Sequence, residues 1–76
     1  MKCSIEIAVK RIILNHYRTF HQPVGKKELN GMVQQKVGGG YSSVEFSSVL
    51  KMLKDGDAII EDPIDCFLPN YDEVEM

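Results

Sequence analysis

The sequence contains no apolar run near the roughly 20 residues that a membrane-spanning helix requires. Its first residues, MKCSIEIAVKRIIL, carry a lysine near the start, as a signal peptide does. However, Glu6, Lys10 and Arg11 interrupt the apolar segment that such a peptide needs. We therefore expect a soluble, cytoplasmic protein with no membrane partner.

Cysteine and histidine are scarce, with two copies of each. Cys3 and Cys66 form no C-x-x-C motif and are compatible with one disulfide between the chain ends or with two thiols; we favour thiols in a cytosolic protein. His16 and His21 are five residues apart, a spacing that does not place two ligands on one helix face. Since no catalytic constellation is apparent, we predict no enzyme activity, no metal and no cofactor.

Basic residues are missing from the end of the chain. Residues 55–76 contain eight acidic residues and no lysine or arginine, a net charge of −8, whereas residues 1–54 contain nine basic and three acidic residues, a net of +6. This division indicates either a polyanionic partner for the basic part or mutual attraction between the two parts. The charges alone support both interpretations equally.

The 76 residues are enough for one domain with a marginal core, because a chain this short buries only about 60% of its unfolded surface. Helical spacing of apolar residues predicts a first helix that begins at Ser4. Its stripe consists of Ile5, Ala8, Val9, Ile12 and His16, widened by Ile13, Tyr17 and Phe20. This excess of apolar positions, which includes Ile7 and Leu14, leaves room for a homodimer contact through the first helix.

A short edge strand at Pro23 and Val24 and a second helix from Lys26 to about Val37, with Gly25 as its N-cap, come next. Gly31 inside this helix costs about 1 kcal/mol relative to alanine, so the helix is weak there or another backbone approaches closely. Glycines 38–40 predict a turn. They lack the G-x-x-x-x-G-K-[ST] pattern of a nucleotide site.

A third helix is predicted from the capping-box pair Ser42 and Glu45 to Gly56, a helix stop that tolerates positive φ. Its apolar stripe comprises Phe46, Val49, Leu50 and Leu53. Two β-like runs follow at residues 58–61 and 64–68, joined by the Asp62-Pro63 turn. From residue 69 the periodicity is lost, which predicts a frayed acidic tail.

Two stretches, PVGKKELNGMVQQKVG and SSVEFSSVLKMLKDGDAIIED, resemble the winged helix-turn-helix superfamily. Leu50, Leu53 and Gly56 match the Leu-x-x-Leu-x-x-Gly ending of its third helix. The resemblance implies a mainly α fold with a small β-hairpin (α+β), a three-helix winged helix-turn-helix over residues 1–68. Residues 69–76 are expected to form an acidic, flexible tail.

This resemblance implies that the third helix enters the DNA major groove and that the hairpin, the wing, touches the DNA backbone or minor groove. The expected function is a small DNA-binding transcriptional regulator acting as a dimer, nucleoid-associated or nuclear in that case. The residues expected to contact double-stranded DNA are Lys26, Lys27, Ser42, Ser43, Ser47, Ser48, Lys51 and Lys54.

The acidic wing favours a different function. Glu61, Asp62 and Asp65 occupy a wing where phosphate contact would require basic residues, and the third helix lacks the arginine, asparagine and glutamine suited to bidentate base contacts. The alternative is a winged-helix protein-interaction module, an adaptor or inhibitor of a larger complex, with these acids as its contacts. In a further hypothesis the tail covers the basic face, and deleting residues 69–76 tightens DNA binding.

Overall fold

Apolar residues at helical spacing form three helices within residues 4–71, the part of the chain that the computed structural model describes. They are α1 (Ser4–Phe20), α2 (Lys26–Val37) and α3 (Ser43–Asp55). The same described residues contain three short strands, β1 (Val24–Gly25), β2 (Ile59–Glu61) and β3 (Cys66–Pro69). The predicted α+β class, with three helices and a small antiparallel sheet, is confirmed.

The sheet has the order β1-β3-β2, and β3 is antiparallel to both neighbours. Val24 pairs with Phe67 on one side of β3, and Ile60 pairs with Leu68 on the other. The first strand therefore belongs to the same sheet as the hairpin.

Ile64 does not belong to the last strand, so the prediction of a strand over residues 64–68 is wrong at its start. Ile64 lies in the β2–β3 loop, residues 62–65, and is 82% exposed. The loop is closed by bonds from Asp62 N–H to the Cys66 oxygen (2.9 Å) and from Cys66 N–H to the Pro63 oxygen (2.9 Å). Asp65, with φ 64°, turns the chain before β3 begins.

The core lies where the three helices and the sheet meet. Its fully enclosed side chains, each less than 2% exposed, are Val9, Ile13, Val24, Leu29, Val33 and Ile59. Phe46, Leu50 and Leu53 join them from α3, as the predicted stripe requires. Tyr17 and Phe20 are instead 40% and 59% exposed, a correction to the predicted stripe of the first helix. They lie in its last turns, while Leu14 is buried.

The helix ends follow local chemistry. Gly25 is the N-cap of α2, and Gly38 ends that helix in the left-handed region at φ 83°. The Ser42 hydroxyl accepts a bond from the Glu45 backbone N–H (3.1 Å), which confirms the predicted cap of α3. Gly56 ends α3 as predicted, with φ −88°, and the following residue, Asp57, takes φ 60°.

The ordered packing extends beyond residue 68, so the predicted tail does not begin at residue 69. Asn70 donates from its backbone N–H to the Ala58 oxygen (3.0 Å) and from its side chain to the Asp57 oxygen (2.7 Å). The Tyr71 hydroxyl donates to the Lys10 oxygen in α1 (2.6 Å), and the Lys10 ammonium lies 5.4 Å from the ring centroid. A deletion of residues 69–76 would remove this packing, and the remaining tail, residues 72–76, lies outside the described residues.

Within residues 4–71, no helix combines the length and the apolar character needed to cross a membrane. Cys66 is a free, half-buried thiol, and Cys3 falls outside the described residues.

Candidate functional site

The outer face of α3 is open to solvent. The helix buries Phe46, Leu50 and Leu53 on one side, which turns the opposite side outward. A shallow depression of about 320 Å³ runs along that side, lined by Ser43, Val44, Ser47, Ser48 and Lys51, all of which are exposed. Four of the eight residues expected to contact DNA therefore share one surface. Val44 lies on the same surface and is 74% exposed. It was not among the predicted site residues, because an apolar side chain is typical of a core position.

A second depression, of about 370 Å³, separates α3 from the β2–β3 hairpin and the start of α2. Leu50 and Phe67 contribute its apolar lining. Its polar lining consists of Lys26, Ser47, Lys51, Lys54, Asp55, Glu61 and Asp65. The structure thus brings residues predicted for DNA contact next to acids predicted for protein contact. Lys27 and Asp62 are exposed nearby in sequence but do not line this depression.

Lys54 and Glu61 form the shortest ion pair described at this site, with 2.7 Å between Nζ and Oε1. The second carboxylate oxygen of Glu61 accepts a bond from the Asp65 backbone N–H (2.8 Å). Asp65 in turn accepts a bond at its carbonyl oxygen from the Lys26 backbone N–H (2.8 Å). A continuous set of bonds therefore joins α3, the β2–β3 loop and the start of α2.

This pairing shifts the pKa of both partners. The hydrogen bond from Lys54, followed by the Asp65 backbone bond, lowers the pKa of the Glu61 carboxyl below its ordinary 4.5. The hydrogen bond to Glu61, followed by its charge, raises the pKa of Lys54 above its ordinary 10.5. An acid whose pKa is lowered by folding stabilises the fold at pH values above its pKa in the unfolded chain. A lysine whose pKa is raised by folding stabilises the fold at pH values below its pKa in the unfolded chain. The pair therefore contributes across the whole neutral range.

Lys51 is more available. It lies 3.2 Å from Asp55, one turn further along α3, with the two side chains 75% and 63% exposed. Exposed pairs of this kind contribute about 0–1 kcal/mol and exchange readily with other partners. Of the two lysines on α3, Lys51 is the more exposed, and its pair with Asp55 lies outside the set of bonds that joins Lys54, Glu61 and Asp65.

The charges that line the second depression cancel. Three lysines, Lys26, Lys51 and Lys54, line it together with three acids, Asp55, Glu61 and Asp65. The Lys54–Glu61 pair shows that the two parts of the chain attract each other locally. A polyanionic partner for the basic part stays a prediction.

Tyr41 fixes the position of α3 against α2. Its hydroxyl lies 2.7 Å from Asn30 Oδ1 and 3.1 Å from the Asn30 carbonyl oxygen, across the glycine turn. Its ring lies 6.2 Å from that of Phe46. Ser42, the neighbouring residue predicted for DNA contact, has its hydroxyl engaged as the α3 cap. Sequence spacing gave no signal for the Tyr41–Asn30 contact.

The histidines lie away from this site, at the end of α1. His16 Nδ1 lies 3.2 Å from the Gln22 oxygen and its ring is 4.8 Å from that of Phe20, while His21 contacts Tyr17. Among residues 4–71 no group of three or more potential ligands is arranged to hold a metal ion. Comparisons with protein-family models, with curated proteins and with solved structures find no match to this chain.

Proposed function

We propose that the chain is a winged-helix protein that binds duplex DNA through α3 and acts as a transcriptional regulator. The observation that carries this proposal is the exposed row on α3, where small hydroxyl side chains and Lys51 face solvent in the described chain. The order of elements supports it, since a helical pair joined by a glycine turn precedes a hairpin that shares its sheet with β1. This arrangement agrees with the superfamily that the sequence resembles.

The side chains of α3 suit a groove contact. Serine hydroxyls bond to either base edges or phosphates, and an apolar side chain such as Val44 contacts the thymine methyl group. Lys51 supplies a phosphate contact, because its side chain is 75% exposed. The first turn of α2, which carries Lys26 and Lys27, adds the positive end of the helix dipole.

The cancelled charge limits the strength of such binding. With two or three phosphates neutralised, the logarithm of the binding constant falls with the logarithm of salt concentration at a slope of roughly −2 to −3 per chain. A dimer would raise affinity by doubling these contacts. Tyr17 and Phe20, exposed at the end of α1, support the proposal that the first helix forms that dimer.

Fluorescence anisotropy with a labelled duplex of random sequence tests this function at low and near-physiological salt. Lys51→Glu is compared with Lys36→Glu, which reverses the same charge on an exposed lysine in the last turn of α2. We expect salt-sensitive binding by the wild type, a loss of at least tenfold in Lys51→Glu, and a smaller loss in Lys36→Glu. Absence of binding at low salt, or equal losses in both variants, would reject contact through α3.

The β2–β3 loop favours a second candidate, a protein-interaction module that does not bind DNA. Ile64 is 82% exposed there, between the acidic Asp62 and Asp65, on a loop held by the backbone bonds described above. An exposed apolar side chain flanked by acids suits a partner with an apolar pocket and a basic rim. A stoichiometric partner that resists nuclease and is lost in Ile64→Ser would support this candidate. A partner retained by Ile64→Ser would exclude the loop as its contact.

A further inference from the structure

We propose that Glu61 is a positioning residue that locks the wing to α3 and withholds Lys54 from DNA, so that opening the lock strengthens binding. This inference rests on the proposed function. It goes beyond it by assigning an inhibitory role to one acid of the wing and by removing Lys54 from the resting DNA surface.

The lock is built from two donors on one carboxylate. Lys54 Nζ reaches Oε1 at 2.7 Å, and the Asp65 N–H reaches Oε2 at 2.8 Å. Glu61 stands at the end of β2, where its side chain is 20% exposed, so it is held close to the protein surface and not directed into solvent. Charge-assisted bonds of this length are among the stronger ones at a protein surface.

The lock also fixes the loop in one place. Asp65 accepts a bond from the Lys26 backbone N–H, so Glu61 connects α3 with the loop and, through it, with the start of α2. Asp65 is therefore held beside Lys26 and Lys54, which line the same depression. A phosphate that approaches Lys54 competes with the Glu61 carboxylate for the ammonium and meets the negative charges of Glu61 and Asp65 in the same depression.

Glu61→Gln opens the lock with little change in shape. A glutamine amide keeps an acceptor oxygen at only one of the two carboxylate positions and places an NH2 donor at the other, so Lys54 and the Asp65 N–H no longer each face an acceptor. Asp62→Asn is the matched control, because it removes the same charge from an exposed neighbouring residue without touching the ion pair. Any gain in Glu61→Gln beyond that in Asp62→Asn then measures the lock.

The experiment is anisotropy with the random duplex over a salt series on the full chain. Relative to Asp62→Asn, we expect Glu61→Gln to bind about three- to tenfold more tightly at low salt, with a slope steeper by roughly 0.9 for one added phosphate contact. Adding Lys54→Gln to Glu61→Gln should abolish that gain. Amide exchange at Asp65 should be faster in Glu61→Gln than in Asp62→Asn, since the bond to its N–H is weakened.

The possible failures are distinct. Wild-type binding with equal affinities and slopes for Glu61→Gln and Asp62→Asn overturns the lock and leaves the proposed function in place. A gain that survives Lys54→Gln overturns the assignment of Lys54 as the withheld contact. Absence of binding by all of these proteins at low salt overturns both proposals together.

Discussion

Tyr41 joins the two helices that the proposed DNA contact depends on, and removing its hydroxyl tests how that joint is stabilised. Tyr41→Phe keeps the ring beside Phe46 and deletes the contact of 2.7 Å with Asn30 Oδ1. The site is half-buried, so the Asn30 side chain regains water only partly. A net loss of about 1 kcal/mol is expected, within the range of roughly 0.5–1.5 kcal/mol for an intramolecular hydrogen bond.

For a chain of this length, 1 kcal/mol corresponds to a fall in Tm of roughly 4–8 °C. Thermal unfolding followed by circular dichroism at 222 nm measures that shift. Tyr17→Phe is the control, because Tyr17 is 40% exposed at the end of α1, and its Tm should change by less than about 2 °C.

A double-mutant cycle with Asn30→Ala isolates the pair. The double variant should be less destabilised than the sum of the two single variants, by at least about 0.5 kcal/mol. Additive effects, or an unchanged Tm in Tyr41→Phe, would refute the conclusion that this contact holds α3 against α2.

Three further changes have defined outcomes. Leu29→Ala should cost about 2–5 kcal/mol and leave much of the chain unfolded at 37 °C by circular dichroism, because Leu29 is fully buried and total stabilities of about 0.05–0.15 kcal/mol per residue are small; a loss below 1 kcal/mol would contradict its place in the core. Gly31→Ala should stabilise by up to about 1 kcal/mol in a denaturant titration, since an added Cβ would have no neighbour within 4 Å; destabilisation would show a close contact there. Burial raises the pKa of Tyr71 above its ordinary 10.0, so its phenol stabilises the fold at pH values below its pKa in the unfolded chain, and this contribution is lost as pH rises through its pKa in the folded chain. The absorbance change of Tyr71 at 295 nm, obtained by difference from Tyr71→Phe, should therefore coincide with alkaline unfolding and not precede it.

The helices could be predicted from the sequence because each carries a local signal. The apolar spacing of Phe46, Leu50 and Leu53 gave the buried face of α3, and Ser42 with Glu45 gave its start. The bounds of α2, Lys26–Val37, also agree with the prediction. Gly31 was ambiguous in sequence, and the structure resolves it, because a Cβ placed on Gly31 would have no neighbour within 4 Å, so no other backbone packs against that side of the residue.

The hairpin and the end of the chain were predicted less well, since long-range contacts decide them. Ile64 fits an alternating strand pattern, but the bonds that close the loop place it in the turn. Tyr71 looks like part of an acidic tail, yet its hydroxyl reaches Lys10, 61 residues earlier in the chain. No local pattern records a contact at that separation.

The shared exposure of four of the eight predicted site residues could be predicted from the sequence, but the charge balance around them could not. Ser43, Ser47, Ser48 and Lys51 are exposed together, as a helix with one apolar stripe requires. The ion pair of Lys54 joins residues from the basic and acidic parts of the chain, and its geometry depends on how the hairpin returns to α3. Summed charges cannot supply that information.

Mapping of backbone amide shifts by NMR, during titration with a duplex at low salt, shows directly whether DNA contacts α3. If α3 binds DNA, the largest changes occur at Ser43, Ser47, Ser48 and Lys51, with smaller ones at the start of α2. Changes confined to the far end of α1, or no changes at a duplex excess that saturates ordinary non-specific binding, would contradict that contact.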